Sequence, residues 1–224
     1  MSVIEFEPVN RQSTAEMIAD RLRAAIVDGT LAPGSQLVEA DLATQFDVSR
    51  GPVREAMQRL VSEGLLRSVR HRGIFVIELS LEDVVDIYRA RTALEGGAVN
   101  LILDGRRDIA HAALEPSTAE MAACAERGDA HGVTEADHAF HQALVASADS
   151  PRLVRAAQTL LIETRMCLGA LQTTYTDLGE QVREHVALRE AIAAGPPEHA
   201  RELLVGHMHD AVERLRPQIG EPGA

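Results

Sequence analysis

The chain has 224 residues, 46% of them hydrophobic, with no low-complexity tract, which is enough for two modest folded domains. A formal net charge of −12 and only two cysteines exclude a uniformly basic coat for nucleic acid and a disulfide-built scaffold. No apolar run approaches the roughly 20 residues that span a bilayer, and the acidic start Met1-Ser-Val-Ile-Glu-Phe-Glu lacks the basic region of a signal peptide. A cytoplasmic chain is expected, with Cys124 and Cys167 reduced and in the core.

In chain order, Ser13 or Thr14 can cap a first helix that runs to about Asp28. Ile18, Leu22, Ala25 and Ile26 fall on one face, and Glu16 and Asp20 suit the positive end of the helix dipole. Gly29-Thr-Leu-Ala-Pro33-Gly34 ends it. Glu39–Phe46 makes a second short helix, with Leu42, Ala43 and Phe46 available for packing. Asp47-Val48 gives the tight connection expected between two crossing helices. Ser49 is a suitable N-cap for a third helix, with Pro52 in its first turn, where a missing N–H costs little. Val53, Ala56, Met57, Leu60 and Val61 would face a core, while Arg50, Arg54 and Gln58 share the opposite side. Glu63-Gly64 stops this helix.

Two strand-like runs follow, Leu65–Val69 and Gly73–Glu78, with Arg70, His71 and Arg72 at the tip between them. Two arginines on a helix are usually a solvated face. Here the surroundings read as a helix-turn-helix with a β-hairpin wing, which would set an arginine-bearing helix in a major groove. Arginine also suits bidentate binding of guanine. The run from Ile18 to Val76, with Val48-Ser49-Arg50-Gly-Pro52-Val53-Arg54-Glu55-Ala56 at its centre, resembles a GntR-family winged-helix domain. That resemblance implies base and phosphate contacts by Ser49, Arg50 and Arg54, and entry of the tip around His71 and Gly73 into the minor groove. One departure is Ala40, where some relatives have a DNA-contacting arginine.

The charge is unevenly placed. Between Arg50 and Ile77 lie six arginines and two glutamates, whereas 13 arginines and 23 acids follow Leu79. The positive potential needed for phosphate binding is therefore concentrated on the helix and wing.

Ser80-Leu-Glu-Asp83 resembles a capping box and marks a domain boundary near residues 78–80. Beyond it only helical patterns appear, at roughly 81–103, 108–127, 130–148, 151–169, 175–194 and 197–216. Breaks fall at Asp104-Gly105, Arg127-Gly128-Asp129, Asp149-Ser150-Pro151 and Gly195-Pro196-Pro197. The expected fold is mainly α: a winged helix-turn-helix over residues 1–78, an all-α antiparallel bundle over 79–218, and a tail at 219–224.

Asp137 and His141 lie one turn apart, so both project from one helical face; His185 and His207 sit on later helices. Three imidazoles and a carboxylate pointing into a bundle would suit a first-row divalent metal. Read alone, each histidine is more often a hydrogen-bonded core residue. Asp137-His-Ala-Phe140-His141, Glu184-His185 and the terminal Ala-Arg-Glu-Leu-Leu-Val-Gly-His207 resemble the FCD effector domain of FadR-like GntR regulators. The resemblance implies a metal on Asp137, His141, His185 and His207, zinc before nickel or manganese, with His138 and His209 on other faces. Arg91, in Tyr88-Arg-Ala-Arg91-Thr-Ala-Leu-Glu95, matches an inward arginine that meets an acidic effector; the alternative is a salt bridge to Glu95 one turn on. Ser150, where many relatives have asparagine, is a further departure.

The reading is a homodimeric regulator of a palindromic operator, most often a repressor in this family, that senses a small carboxylate and is not an enzyme. Two alternatives stay open: a metalloenzyme joined to a DNA-binding module, since such a site can activate water, and a DNA binder without an effector. Against the enzyme, Glu184 lies on a different helical face from His185, which leaves no obvious general base.

Overall fold

The computed structural model describes residues 12–170 and 177–219, with side chains as far as 166 in the first stretch and 216 in the second. The expectations for the acidic N-terminus, for Cys167 and for the C-terminal tail therefore lie outside the described residues. The chain separates into two compact units, with Ile77 closing the first and Glu78 opening the main part of the second.

The first unit contains α1 (Thr14–Val27), β1 (Gln36–Leu37), α2 (Glu39–Gln45), α3 (Arg50–Ser62), β2 (Leu66–Val69) and β3 (Gly73–Val76). Ser13 caps α1: its hydroxyl accepts from Glu16 N–H at 3.1 Å, and the Glu16 carboxylate accepts from Ser13 N–H at 2.9 Å. Ile18, Ala19, Leu22 and Ile26 are buried on its inner face. On the outer edge, Arg23 ties α1 to the end of α3 through Glu63, with Nε and Nη2 contacts of 2.8–2.9 Å. Val53, Ala56, Met57 and Leu60 bury the core side of α3, and Leu42 and Ala43 do so for α2. Gly64, with φ of +79°, reverses the chain after α3 at an angle that favours glycine.

Ser49 is the N-cap of α3, as expected, but its hydroxyl makes no capping bond; it stays exposed and free for another acceptor or donor. The wing is an antiparallel pair, Leu66↔Val76 to Val69↔Gly73. Its second strand ends at Val76 rather than Glu78. A third strand, β1, pairs with it through Gln36↔Phe75 and Leu37↔Ile74. The sequence gives no warning of β1, because two residues cannot display an alternating pattern.

The second unit is helical: α4 (Leu81–Leu103), α5 (Arg107–Glu126), α6 (Ala130–Ser147), α7 (Pro151–Ala170), α8 (Leu178–Ala194) and α9 (Pro197–Ile219). The capping box of α4 is present in full: the Ser80 hydroxyl accepts from Asp83 N–H, and Asp83 accepts from Ser80 N–H. Within the described residues α8 begins after Asp177, whose carboxylate accepts from Gly179 N–H; the expected start at 175 falls outside them. The bundle core is mostly aliphatic, with Val99, Ile102, Leu114, Leu144, Leu188 and Leu204 almost fully buried around Phe140. No described helix is long and apolar enough to cross a membrane.

Candidate functional site

Asp137 and His141 project from α6, His185 from α8 and His207 from α9, all buried. One ligand atom from each lies within 4.8 Å of all the others. His185 Nε2 is 3.1 Å from Asp137 Oδ1, and His141 Nε2 is 3.2 Å from His207 Nε2. Phe140 stands edge-on to both His141 and His185, at centroid distances of 5.4 and 4.7 Å, and fixes their ring planes.

The partners of the far ring nitrogens decide what these four groups can hold. His185 Nδ1 donates to the Gln181 carbonyl at 2.8 Å, and a carbonyl can only accept. His141 Nδ1 donates to Glu95 Oε2 at 2.7 Å, and His207 Nδ1 to Glu184 Oε2 at 2.9 Å. Each neutral imidazole therefore carries its proton on Nδ1 and turns an Nε2 lone pair toward the cluster. Two such lone pairs face each other across the 3.2 Å between His141 and His207, with no proton to share. His185 Nε2 has no hydrogen-bond partner and lies 3.1 Å from Asp137 Oδ1. Three converging lone pairs and a carboxylate oxygen are a donor set that could hold a divalent cation.

The titration behaviour agrees. Burial lowers His207 to about 4, and the neighbouring imidazoles add to the shift against the Glu184 hydrogen bond. Burial and then Arg91 lower His141. Burial would raise Asp137 and Glu95, yet the histidines hold Asp137 well down, and Arg91 with His141 holds Glu95 at about 2. At neutral pH the cluster is ionised at Asp137 and neutral at His141 and His207. A stability consequence follows for metal-free protein. The unfolded chain binds more protons between the ordinary imidazole value of about 6.5 and the folded value of about 4. Stability is then fully present above pH 6.5 and falls as the pH drops toward 4. Urea unfolding of EDTA-treated protein across that range should show the decline; a flat profile would contradict it.

Arg91 makes the salt bridge to Glu95 one turn on. It is 2% exposed and donates from Nε to Glu95 Oε1 at 2.7 Å. Its Nη1 reaches Thr164 Oγ1 on α7 at 3.3 Å. Its Nη2 is buried with no partner. Glu95 thus links Arg91 to His141. Glu184, which the sequence reading turned away from His185, serves His207 and also accepts from Arg214 at 2.8 and 2.9 Å. The sequence reading missed the roles of Glu95, Gln181 and Glu184. The available signal was spacing, since Glu95 follows Arg91 by one turn and Gln181 precedes His185 by one turn. His138 is only partly buried and His209 is exposed, so neither joins the cluster.

In the first unit, Ser49, Arg50, Arg54 and Gln58 on α3 and Arg70, His71, Arg72 and Gly73 at the wing turn are all exposed. Arg54 is held side-on by Glu39 of α2, with Nε and Nη2 at 2.8–3.1 Å from its carboxylate. His71 has φ of +62° and Gly73 of +112°. A Cβ on Gly73 would meet the Gln36 amide at 2.7 Å, the same amide that donates to Arg72 O at 2.8 Å. The hairpin tip is therefore pinned to β1.

A winged helix with an arginine-bearing recognition helix, on one chain with a helical domain built around a His3Asp cluster, defines a DNA-binding transcriptional regulator. Residues 14–76 match the family described as bacterial regulatory proteins, gntR family, and residues 86–210 match the FCD domain. The chain belongs to the GntR family. It is 32% identical over 89% of its length, and 88% of the relative's, to the "Probable D-xylose utilization operon transcriptional repressor" of Paenarthrobacter nicotinovorans. It is 26% identical to the gluconate operon transcriptional repressor of Bacillus licheniformis, over 94% of this chain and 87% of that one. A crystal structure of a GntR regulator from Rhodococcus sp. RHA1 superposes with a TM-score of 0.77, at 28% identity, covering 92% of this chain and 99% of that one. These matches place the chain among transcriptional regulators and not among enzymes.

Proposed function

We propose that this chain is a ligand-responsive repressor. Residues 1–78 bind a palindromic double-stranded operator, and residues 79–218 sense a small carboxylic acid through a divalent metal. The observation that carries the reading is the convergence of three imidazole lone pairs and the Asp137 carboxylate close to Arg91, whose Nη2 is buried without a partner. Asp137, His141, His185 and His207 would hold the ion. Zinc is the first choice for this donor set, and mixed imidazole and carboxylate sites also accept nickel or manganese. When bound, the metal supplies a Lewis acid for an anionic oxygen. Arg91 offers Nη2 to the acid, and a guanidinium is well matched to a carboxylate.

Ser49, Arg50, Arg54 and Gln58 take the major groove, and Arg70, His71, Arg72 and Gly73 take phosphate or the minor groove. The chain acts as a homodimer in the cytoplasm, its two-fold axis matched by two operator half-sites. The acid acts only by binding one arrangement of the dimer better than another. Two relatives described as operon repressors support the direction of control. Fluorescence anisotropy of labelled operator tests the reading. In zinc-loaded protein one acid should weaken operator binding about tenfold or more, within the usual range of allosteric coupling, and EDTA treatment should abolish the response. Operator affinity indifferent to every acid in both forms contradicts it.

A further inference from the structure

The turn between β2 and β3 is held in a conformation that its side chains resist. Arg72 N–H donates to Val69 O at 3.0 Å, and the pairing Val69↔Gly73 leaves Arg70, His71 and Arg72 as the loop. His71 lies in the left-handed region at φ of +62°, which a side chain disfavours, and Gly73 lies at +112°. A two-stranded hairpin is marginal in water by itself, so a tip of this shape depends on support from outside. Gln36 supplies it. β1 sets Gln36 directly opposite Phe75. Its Nε2 donates to Arg72 O at 2.8 Å, and because a carbonyl can only accept, the orientation of the amide is fixed. The same nitrogen occupies the space where a Cβ on Gly73 would stand. The Arg72 guanidinium lies over the Phe75 ring, 5.8 Å from its centroid. Arg72 is thus held twice, at its peptide by Gln36 and at its guanidinium by the residue paired with Gln36, yet it stays exposed. Gln36 is exposed as well, so its amide serves the shape of the tip and not the core.

We infer that Gln36 is a positioning residue for DNA binding: it strengthens the complex by holding Arg72 ready for the duplex, and it acts through Arg72. An arginine on an unsupported tip has to be ordered when DNA binds, and that ordering weakens the complex. The inference rests on the reading of the wing as a DNA contact. It goes beyond that reading by assigning a residue of β1, which lies outside the hairpin and distant from it in sequence.

The test is a double-mutant cycle in the full-length protein, with Gln36→Met, Arg72→Ala and the two combined. The probe is a duplex that the wild-type protein selects from a randomised library, and binding is read by fluorescence anisotropy. Methionine keeps the length of the side chain and removes its donor. Gln36→Met should weaken binding about threefold to tenfold, the usual cost of ordering one long side chain, with Tm and metal content unchanged. In the Arg72→Ala background the same substitution should change affinity by less than about twofold, because the group it positions has gone. Should the methionine chain not fold, Gln36→Ala removes the same donor and takes its place in the cycle. An equal loss in both backgrounds overturns the inference, since Gln36 would then act independently of Arg72. Wild-type affinity in Gln36→Met beside a clear loss in Arg72→Ala overturns the role of Gln36 and leaves the wing reading intact. Wild-type affinity in Arg72→Ala overturns both, and so does a wild-type protein that enriches no duplex.

Discussion

Replacing His185 with alanine should remove metal from the purified chain, from about one equivalent to a small fraction, as read by elemental analysis after dialysis. Changes to outer-shell residues typically cost 10–100-fold in metal affinity, and loss of a direct ligand exceeds that. His185 is the strongest choice because its proton position is unambiguous: the Gln181 carbonyl claims Nδ1, and Nε2 is left buried and unpaired. The substitution also removes a buried ring that packs edge-on against Phe140 and leaves a cavity in its place. The variant should therefore melt lower than wild type, even in EDTA. A variant that keeps a full equivalent of metal would show that the four residues are not its ligands.

The second large effect belongs to the recognition helix. Arg54→Ala should lose specific operator binding while its metal content stays at the wild-type level. One bidentate base contact is worth about 1–3 kcal/mol, and a symmetric dimer loses it twice. The side chain is 61% exposed and, among the described residues, pairs with Glu39, so fold stability should be nearly unchanged. Arg54→Lys should not rescue binding, because an ammonium cannot be held side-on by Glu39 and still offer a two-pronged edge. Operator affinity equal to wild type in an electrophoretic shift assay would contradict the assignment of this helix.

What could be seen in the sequence, and what could not, divides by the range of the interaction. The helix breaks at Gly105, Gly128 and Gly195 and the cap at Ser80 are local, and the structure has helix ends close to each. The Asp137 and His141 pair is also local, one turn on one helix. His185 and His207 could be named as candidates on later helices but were joined to that pair by the family resemblance, because nothing in their own segments says that α8 and α9 bring them to α6. The bonds from Glu95 to His141 and from Glu184 to His207 were missed for the same reason. Each meets its histidine across 46 or 23 residues of chain, and the helical face of Glu184 looked wrong when judged against His185 alone. The hydroxyl of Ser49 illustrates the converse: the residue type fits a cap, the position is the cap, and the capping bond is not made.

The most direct measurement on the central claim is thermal unfolding of the purified protein with and without EDTA, each against small mono-, di- and tricarboxylates. A ligand that binds only the folded state stabilises it by about 2.7 kcal/mol at a hundred times its Kd, which corresponds to roughly 5–10 °C for a domain of this size. The account predicts that EDTA lowers Tm by that order, that zinc restores it, and that one acid raises Tm only when metal is present. If neither chelator, zinc nor any acid moves Tm, the His3Asp cluster is a structural feature of the bundle and metal-dependent acid sensing is wrong.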